Sequence, residues 1–368
     1  MKTTTLLNIA IAGATLAFSA GCCNWCKAPA DSKADPPKLL DGKPLPTTYY
    51  SPDGMTLGTD GYVYVAINQS AGNWKYPAKI ARISPDDKIE DFHTLQLHAK
   101  TKKTSPLGIT FASDGNLYVS DNQTFVTSEP GLSGIIRVVI KDGKPVRDEL
   151  VAVGFNAANG ITQRGNYLYV AETTLGTKDK YTSGVYRIAL SELKANAPLR
   201  LTGIGDPHII LTFETKSPTQ KVGANGVDFD SKGNLYVNNF GDNEVRKYTF
   251  KKDGSIASSQ VFARPKGAIS LDGLHIDSED NLWIADFVGN AIVKINAKTG
   301  KSQIVSQNAV PADGANGELD TPSECIRRGN KVYVSNIDLN NGPHKTDAFQ
   351  TISVITLTDN TPPAAAKK

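Results

Sequence analysis

Six short segments of the sequence share one pattern, and its second residue is the one with chemistry to offer. They are Pro52-Asp53-Gly54-Met55, Pro106-Leu107-Gly108-Ile109, Ala158-Asn159-Gly160-Ile161, Ala224-Asn225-Gly226-Val227, Leu271-Asp272-Gly273-Leu274 and Pro322-Ser323-Glu324-Cys325. The second position reads Asp53, Leu107, Asn159, Asn225, Asp272, Ser323. Two carboxylates and two carboxamides supply hard oxygen donors without thiolate or imidazole. That chemistry suits Ca²⁺ first, with Mg²⁺ or Mn²⁺ as substitutes, whereas zinc would call for Cys or His. Singly, Asn-Gly and Asp-Gly are also turn formers. A turn requirement alone would have placed a turn former at Leu107 too, so the recurrence points to a functional position.

The elements that must hold these residues repeat with them. Each segment is followed, after a Gly-Asn or Asp-Gly type turn, by an aromatic and β-branched run such as Leu117-Tyr118-Val119, Leu235-Tyr236-Val237 or Leu282-Trp283-Ile284. Each pair reads as a β-hairpin. The hairpins recur about every 47 to 66 residues, with further strand-like runs between them, which is the length of a four-stranded propeller blade. The expectation is an all-β chain: a six-bladed β-propeller with four-stranded antiparallel blades over residues 48–358. The first strand of a blade lines the axis, so the six variable residues would meet at one mouth of a central channel. The Tyr and Leu residues of the second strands would pack between blades. The last strand-like run, 351–357, has no fourth strand after it, so residues 38–40 are expected to close the ring and remove an exposed edge. The longer third repeat, with residues 195–221, is expected to loop over the mouth.

Other chemistries find little support. His275 lies three residues after Asp272, and odd spacing on a strand puts it on the opposite face unless the strand is bulged, so it reads as packing or an inter-blade contact. His93, His98, His208 and His344 sit in no motif, and neither a Gly-x-Ser-x-Gly elbow nor a His-Glu-x-x-His pair occurs. The 368 residues carry 40 Lys plus Arg against 37 Asp plus Glu, a net charge of +3 with basic residues scattered along the chain, so nucleic acid is not an expected partner.

The N-terminus reads as an export signal. An apolar run over 6–20 is too short to span a bilayer, and it ends in Ser19-Ala20-Gly21-Cys22. That ending resembles a bacterial lipobox with Cys22 as the lipidated residue, despite Ser19 in place of the commoner Leu. The expectation is a signal peptide over 1–21, a lipidated cysteine and flexible linker over 22–47, and a loose tail over 359–368. The protein would then be lipid-anchored in the bacterial cell envelope, at the outer membrane, or secreted if not lipidated. Cys23 and Cys26 have a metal or redox half-motif spacing with no second pair, and only Cys325 lies in the body.

The repeats resemble the gluconolactonase and regucalcin (senescence marker protein) family of six-bladed propellers, with a more distant likeness to diisopropylfluorophosphatase and the paraoxonases. The likeness spans about 53–336. Ala158-Asn159-Gly160-Ile161, and Leu271-Asp272-Gly273-Leu274 with Asn281-Leu282-Trp283-Ile284-Ala285, look like the family's metal-ligand motifs. Asn225 matches the additional Asn ligand of the phosphatase and paraoxonase branches. The family usually has a Glu on its first blade, where this chain has the shorter Asp53. The resemblance implies a metal set of Asp53, Asn159, Asn225 and Asp272 holding Ca²⁺, and hydrolysis of a lactone or related ester, with Asp272 as ligand and as base or nucleophile. It implies a small-molecule substrate and a monomer. The same hairpins also resemble NHL-repeat propellers, many of which are scaffolds, so the alternative is a lipoprotein that binds a glycan, peptide or protein.

Overall fold

In the computed structural model, the residues described are 34–176, 181–340, 344–347 and 349–358. The export signal, Cys22, Cys23, Cys26 and the expected C-terminal tail lie outside them. Six antiparallel sheets succeed one another around an axis. Their innermost strands are Pro52–Leu57, Pro106–Phe111, Ala158–Arg164, Ala224–Phe229, Leu274–Ile276 and Pro322–Arg328, in blades 1 to 6. The expected six-bladed propeller is what the chain forms.

The hairpins turn where left-handed backbone angles were expected. Gly115 and Gly233 sit at φ of 80° and 83°, and Asp280 takes the same role in blade 5 at φ 63°. An Asp in several of these turns also accepts from the aromatic residue of the following strand: Tyr64 Oη donates to Asp60 at 2.7 Å, Tyr118 Oη to Asp114 at 2.9 Å, and Trp283 Nε1 to Asp277 at 2.8 Å. The polar tip of each ring is thereby satisfied while its body is buried.

Six apolar clusters, each drawn from two neighbouring blades, make up most of the core, and a smaller seventh joins blades 4, 5 and 6 through Phe240, Phe287 and Ile337. Tyr118, Tyr236, Trp283 and Tyr333 are among the largest fully buried side chains. The aromatic second strands therefore pack between blades, as their alternation implied. Cys325 is a free, buried thiol in the cluster between blades 5 and 6.

Ring closure also follows expectation. Lys38–Leu39 pairs with the strand Thr351–Thr356, Lys38 opposite Val354 and Leu39 opposite Ser353, completing blade 6. Order begins earlier than the expected linker boundary: Ala34 bridges Leu357, Leu45 N donates to the Gln350 carbonyl at 2.8 Å, and Leu40 and Leu45 are buried between blades 6 and 1. Residues 34–47 are thus part of the propeller, because their leucines complete its closing core.

The long third repeat departs from expectation. Instead of looping over the mouth, its residues 199–215 run along the outer edge. Leu199–Arg200 adds a parallel fifth strand to blade 2, Leu199 opposite Ala152, and Ile209–Thr215 is the outer strand of blade 3. Leu193, Leu199, Leu201 and Ile209 fix it there by burying apolar surface.

Candidate functional site

Each of the inner strands of blades 1 to 4 shifts register at its Asx-Gly or Leu-Gly step, a bulge between Pro52 and Met55, Pro106 and Ile109, Ala158 and Ile161, and Ala224 and Val227; blade 6 shifts between Pro322 and Glu324. Bulges bend a strand and re-aim its side chains. Here they let the inner strands approach one another at the glycines. A Cβ on Gly108 would lie 2.6 Å from the Asn159 carbonyl oxygen, and one on Gly160 would lie 2.4 Å from that of Asn225. Glycine is needed because neighbouring backbones occupy that space.

Blade-to-blade latches hold the ring in register. Asn68 Nδ2 reaches the Pro106 carbonyl at 3.1 Å, Asn122 Nδ2 that of Ala158 at 3.0 Å, Thr173 Oγ1 that of Ala224 at 2.7 Å, and Asn238 Nδ2 that of Asp272 at 2.7 Å. Each latch starts from the end of a second strand. Buried acids at the same ends, Asp121, Glu172 and Asp286, accept from backbone N–H groups leading into the inner strand of their own blade. Burial raises the Asp121 carboxyl to about 6 and that of Glu172 to about 7.

Of the expected site residues, Asp53, Asn225 and Asp272 come together. The Asp272 carboxyl is pushed well above its ordinary range by burial, then by the charges of Asp53 and Glu324, against a hydrogen bond from the Asn225 side chain. Burial raises Asp53 to about 7. Asn159 stands in the same ring, with its Nδ2 donating to Thr173 Oγ1 at 3.2 Å. Leu107 is buried, and the Ser323 hydroxyl is spent on the Pro52 carbonyl and on Ser335 at the seam between blades 6 and 1. Neither contributes a donor to the channel.

Sequence reasoning missed Glu324. It stands where blades 1 to 5 have glycine, its carboxyl group fills the space beside Gly273, and Cys325 N donates to its Oε1 at 2.9 Å. Burial and the charges of Asp53 and Asp228 raise its pKa well above the ordinary range. The signal was visible as the one non-glycine in that column of repeats.

A second ring was also missed. Two residues beyond the glycine column stand Thr56, Thr110, Thr162, Asp228, His275 and Ile326, which line an axial cavity together with Glu324. His275 is therefore both an inter-blade neighbour, its Nδ1 3.8 Å from Asp228 Oδ2, and a lining residue of the channel. Burial depresses the imidazole pKa and raises that of Asp228. No Lys or Arg lines this cavity among the described residues.

The donor chemistry fits a hard divalent cation. Three carboxylates and at least one carboxamide converge with no Lys or Arg beside them in the cavity lining among the described residues, and like charges brought together in a buried site favour either protonation or a cation. Asp53, Asp272 and Glu324 do not all bring oxygens within 4.8 Å of one another, a closeness reached among the described residues by Asp320, Asp338 and Asp347.

Comparison with known proteins agrees with this architecture. Residues 213–314 match the family model described as SMP-30/Gluconolactonase/LRE-like region. No curated protein sequence matches the chain. Among solved structures, a luciferin-regenerating enzyme superimposes with TM-score 0.58 at 14% identity, covering 90% of this chain and 97% of its own. A gluconolactonase from Xanthomonas campestris gives 0.53 at 14%, covering 91% and 100%. A PQQ-bound aldose sugar dehydrogenase from Streptomyces coelicolor gives 0.53 at 15%, covering 90% and 100%. At such identities these likenesses speak for the fold, which hosts unrelated chemistries. The chain is a six-bladed β-propeller carrying an SMP-30/gluconolactonase/LRE-like region across its fourth and fifth blades.

Proposed function

We propose that this protein is a divalent-cation-dependent hydrolase of a lactone or related ester, working at the axial mouth formed by the inner strands. The observation that carries the reading is the convergence of Asp53, Asp272 and Glu324, with Asn225 on Asp272, in a channel lined by no Lys or Arg among the described residues. Asp53, Asp272, Glu324, Asn159 and Asn225 are the residues that would hold the ion, with calcium the first choice. A bound cation of this kind supplies Lewis-acid polarisation of a carbonyl oxygen and stabilises the charge that develops there.

The chain's own part falls to Asp272. Held by the Asn225 amide, its ionised carboxylate accepts a proton from water as the water oxygen bonds to the ester carbonyl carbon. The same proton then passes to the departing alkoxide oxygen as the C–O bond breaks. A carboxyl whose pKa stands above the ordinary carboxylate range is suited to both transfers. Glu324 and Asp53 keep the site acidic and repel anionic product, while the Gly-lined bulges keep backbone atoms from crowding the mouth.

Calorimetric titration of calcium into chelator-stripped protein tests the reading. Saturable binding weakened by both Asp272→Asn and Glu324→Gln is the expected result. Wild-type binding in both variants, or silence toward calcium, magnesium and manganese, would favour the scaffold alternative, for which Asp53 in place of a first-blade Glu speaks.

A further inference from the structure

A second acidic group lies outside the channel, at the end of blade 6. Asp320 precedes the inner strand Pro322–Arg328, Asp338 follows the second strand Lys331–Asn336, and Asp347 belongs to the connection leading to Thr351–Thr356. One carboxylate oxygen from each lies within 4.8 Å of the others. Asp320 and Asp338 are each 1% exposed. Such a cluster is expensive in a protein interior unless something positive sits in it.

Among the described residues no Lys or Arg forms an ion pair with the group, and the one charge-capable neighbour is His344. Both oxygens of Asp320 and one of Asp347 are buried without a hydrogen-bond partner. Asp338 accepts from Asp347 N at 3.3 and 3.2 Å and from Gln350 Nε2, and its pKa is nonetheless raised to about 7 by burial and by Asp320 and Asp347. The nearest imidazole, His344, is itself 1% exposed. Its Nε2 faces the Val288 carbonyl at 3.3 Å, and because a carbonyl only accepts, that nitrogen carries the proton. In the neutral ring the lone pair of Nδ1 then points into the acidic group, 3.9 Å from Asp320 Oδ1 and without a partner. Thr321 Oγ1, next in the chain to Asp320, is likewise buried and unpartnered. Unpaired buried donors and acceptors gathered around three carboxylates describe a ligand shell.

We propose that Asp320, Asp338 and Asp347 bind a second divalent cation, calcium by their carboxylate chemistry, which fastens the blade 6 connection and stabilises ring closure. The mechanical link is direct: Gln350, which donates to Asp338, also accepts from Ser51 N at 2.6 Å, one residue before blade 1 begins. An ion at this place tightens the seam where the ring is shut, and it is chemically separate from the channel site.

The test is calcium-dependent thermal unfolding of the full chain after chelation, in wild type and in Asp320→Asn, with Asp347→Asn as a second variant at the partly exposed member. Calcium is expected to raise the melting temperature of wild type and of Asp272→Asn by several degrees, and to lose that effect when Asp320→Asn or Asp347→Asn is combined with Asp272→Asn, which removes the channel site's share. In chelator, Asp320→Asn is expected to melt above wild type, because it removes an unpaired buried charge. An equal calcium-induced rise in wild type and both variants, or no rise in Asp272→Asn with calcium, magnesium or manganese, would overturn the proposal. A chelated Asp320→Asn that melts below chelated wild type would count against it as well.

Discussion

Asp272 is the residue on which the chemistry turns, because it alone meets a carboxamide from blade 4 and carboxylates from blades 1 and 6. Asp272→Asn keeps the shape and removes the base. Turnover should fall by about 10²–10⁴-fold, with the melting temperature of chelated protein unchanged or raised. Equal rates for variant and wild type on a lactone panel would refute the role. A different kind of acid, the structural Glu172, makes a prediction about pH. Its pKa of about 7 in the fold exceeds the ordinary 4.5, so the folded state binds the extra proton between those values. Its contribution therefore favours the fold at acid pH and is lost as pH rises through about 7. The loss amounts to roughly 3 kcal/mol at most. Glu172→Gln should flatten the fall in melting temperature between pH 5 and 8, and an unchanged profile would show that the burial cost lies elsewhere.

At this scale the sequence disclosed the donors more readily than their surroundings. Asp53, Asn159, Asn225 and Asp272 were legible because they stand in equivalent positions of repeats. Glu324 was hidden because it stands in the column that is glycine in blades 1 to 5, one place after the column that carries the other donors. His275 was placed correctly between blades, but its second place, in the lining of the channel, depends on how the inner strands are set around the axis. Asp320, Asp338 and Asp347 could not be grouped in advance, because their meeting depends on the path of a long connection.

Among the elements, the inner strand and its glycine are what set the mouth. Gly160→Ala would drive a methyl group into the Asn225 carbonyl region, 2.4 Å away at the unrelaxed geometry. The neighbouring backbone must yield, so the variant should lose calcium affinity in the channel and about 1–3 kcal/mol of stability; full retention of both would mean that the ring tolerates separation. The closing strand offers a second check. Leu40 is 2% exposed between blades 6 and 1, and Leu40→Ala should cost about 2–5 kcal/mol. A melting temperature equal to wild type would show that residues 34–47 add no stability. The closure was legible from an unpaired last strand, a counting argument that rests on edge hydrogen bonding. The fate of the third repeat's extra residues was not, since Leu199 and Leu201 pair and pack against blade 2 through contacts distant in sequence.

Across the whole molecule, six copies of a hairpin made the architecture readable, because each blade buries its aromatic strand only against the next and the ring must therefore close. The chain's ends follow a separate logic. We propose that Cys22 anchors the propeller to a bacterial envelope membrane, with residues between it and Ala34 as the tether. Cys22→Ser should move the protein from the membrane fraction to the soluble fraction, and continued sedimentation with membranes would contradict this.

The central claim is that a cation held at the channel mouth and the Asp272 carboxylate together hydrolyse a lactone or ester. The most direct measurement is the initial rate of lactone hydrolysis by chelator-stripped protein, before and after calcium is restored, in wild type and Asp272→Asn. The account predicts a rate that is low in chelator, recovers with calcium in wild type and stays low in the variant. Hydrolysis that ignores both calcium and the substitution would contradict it.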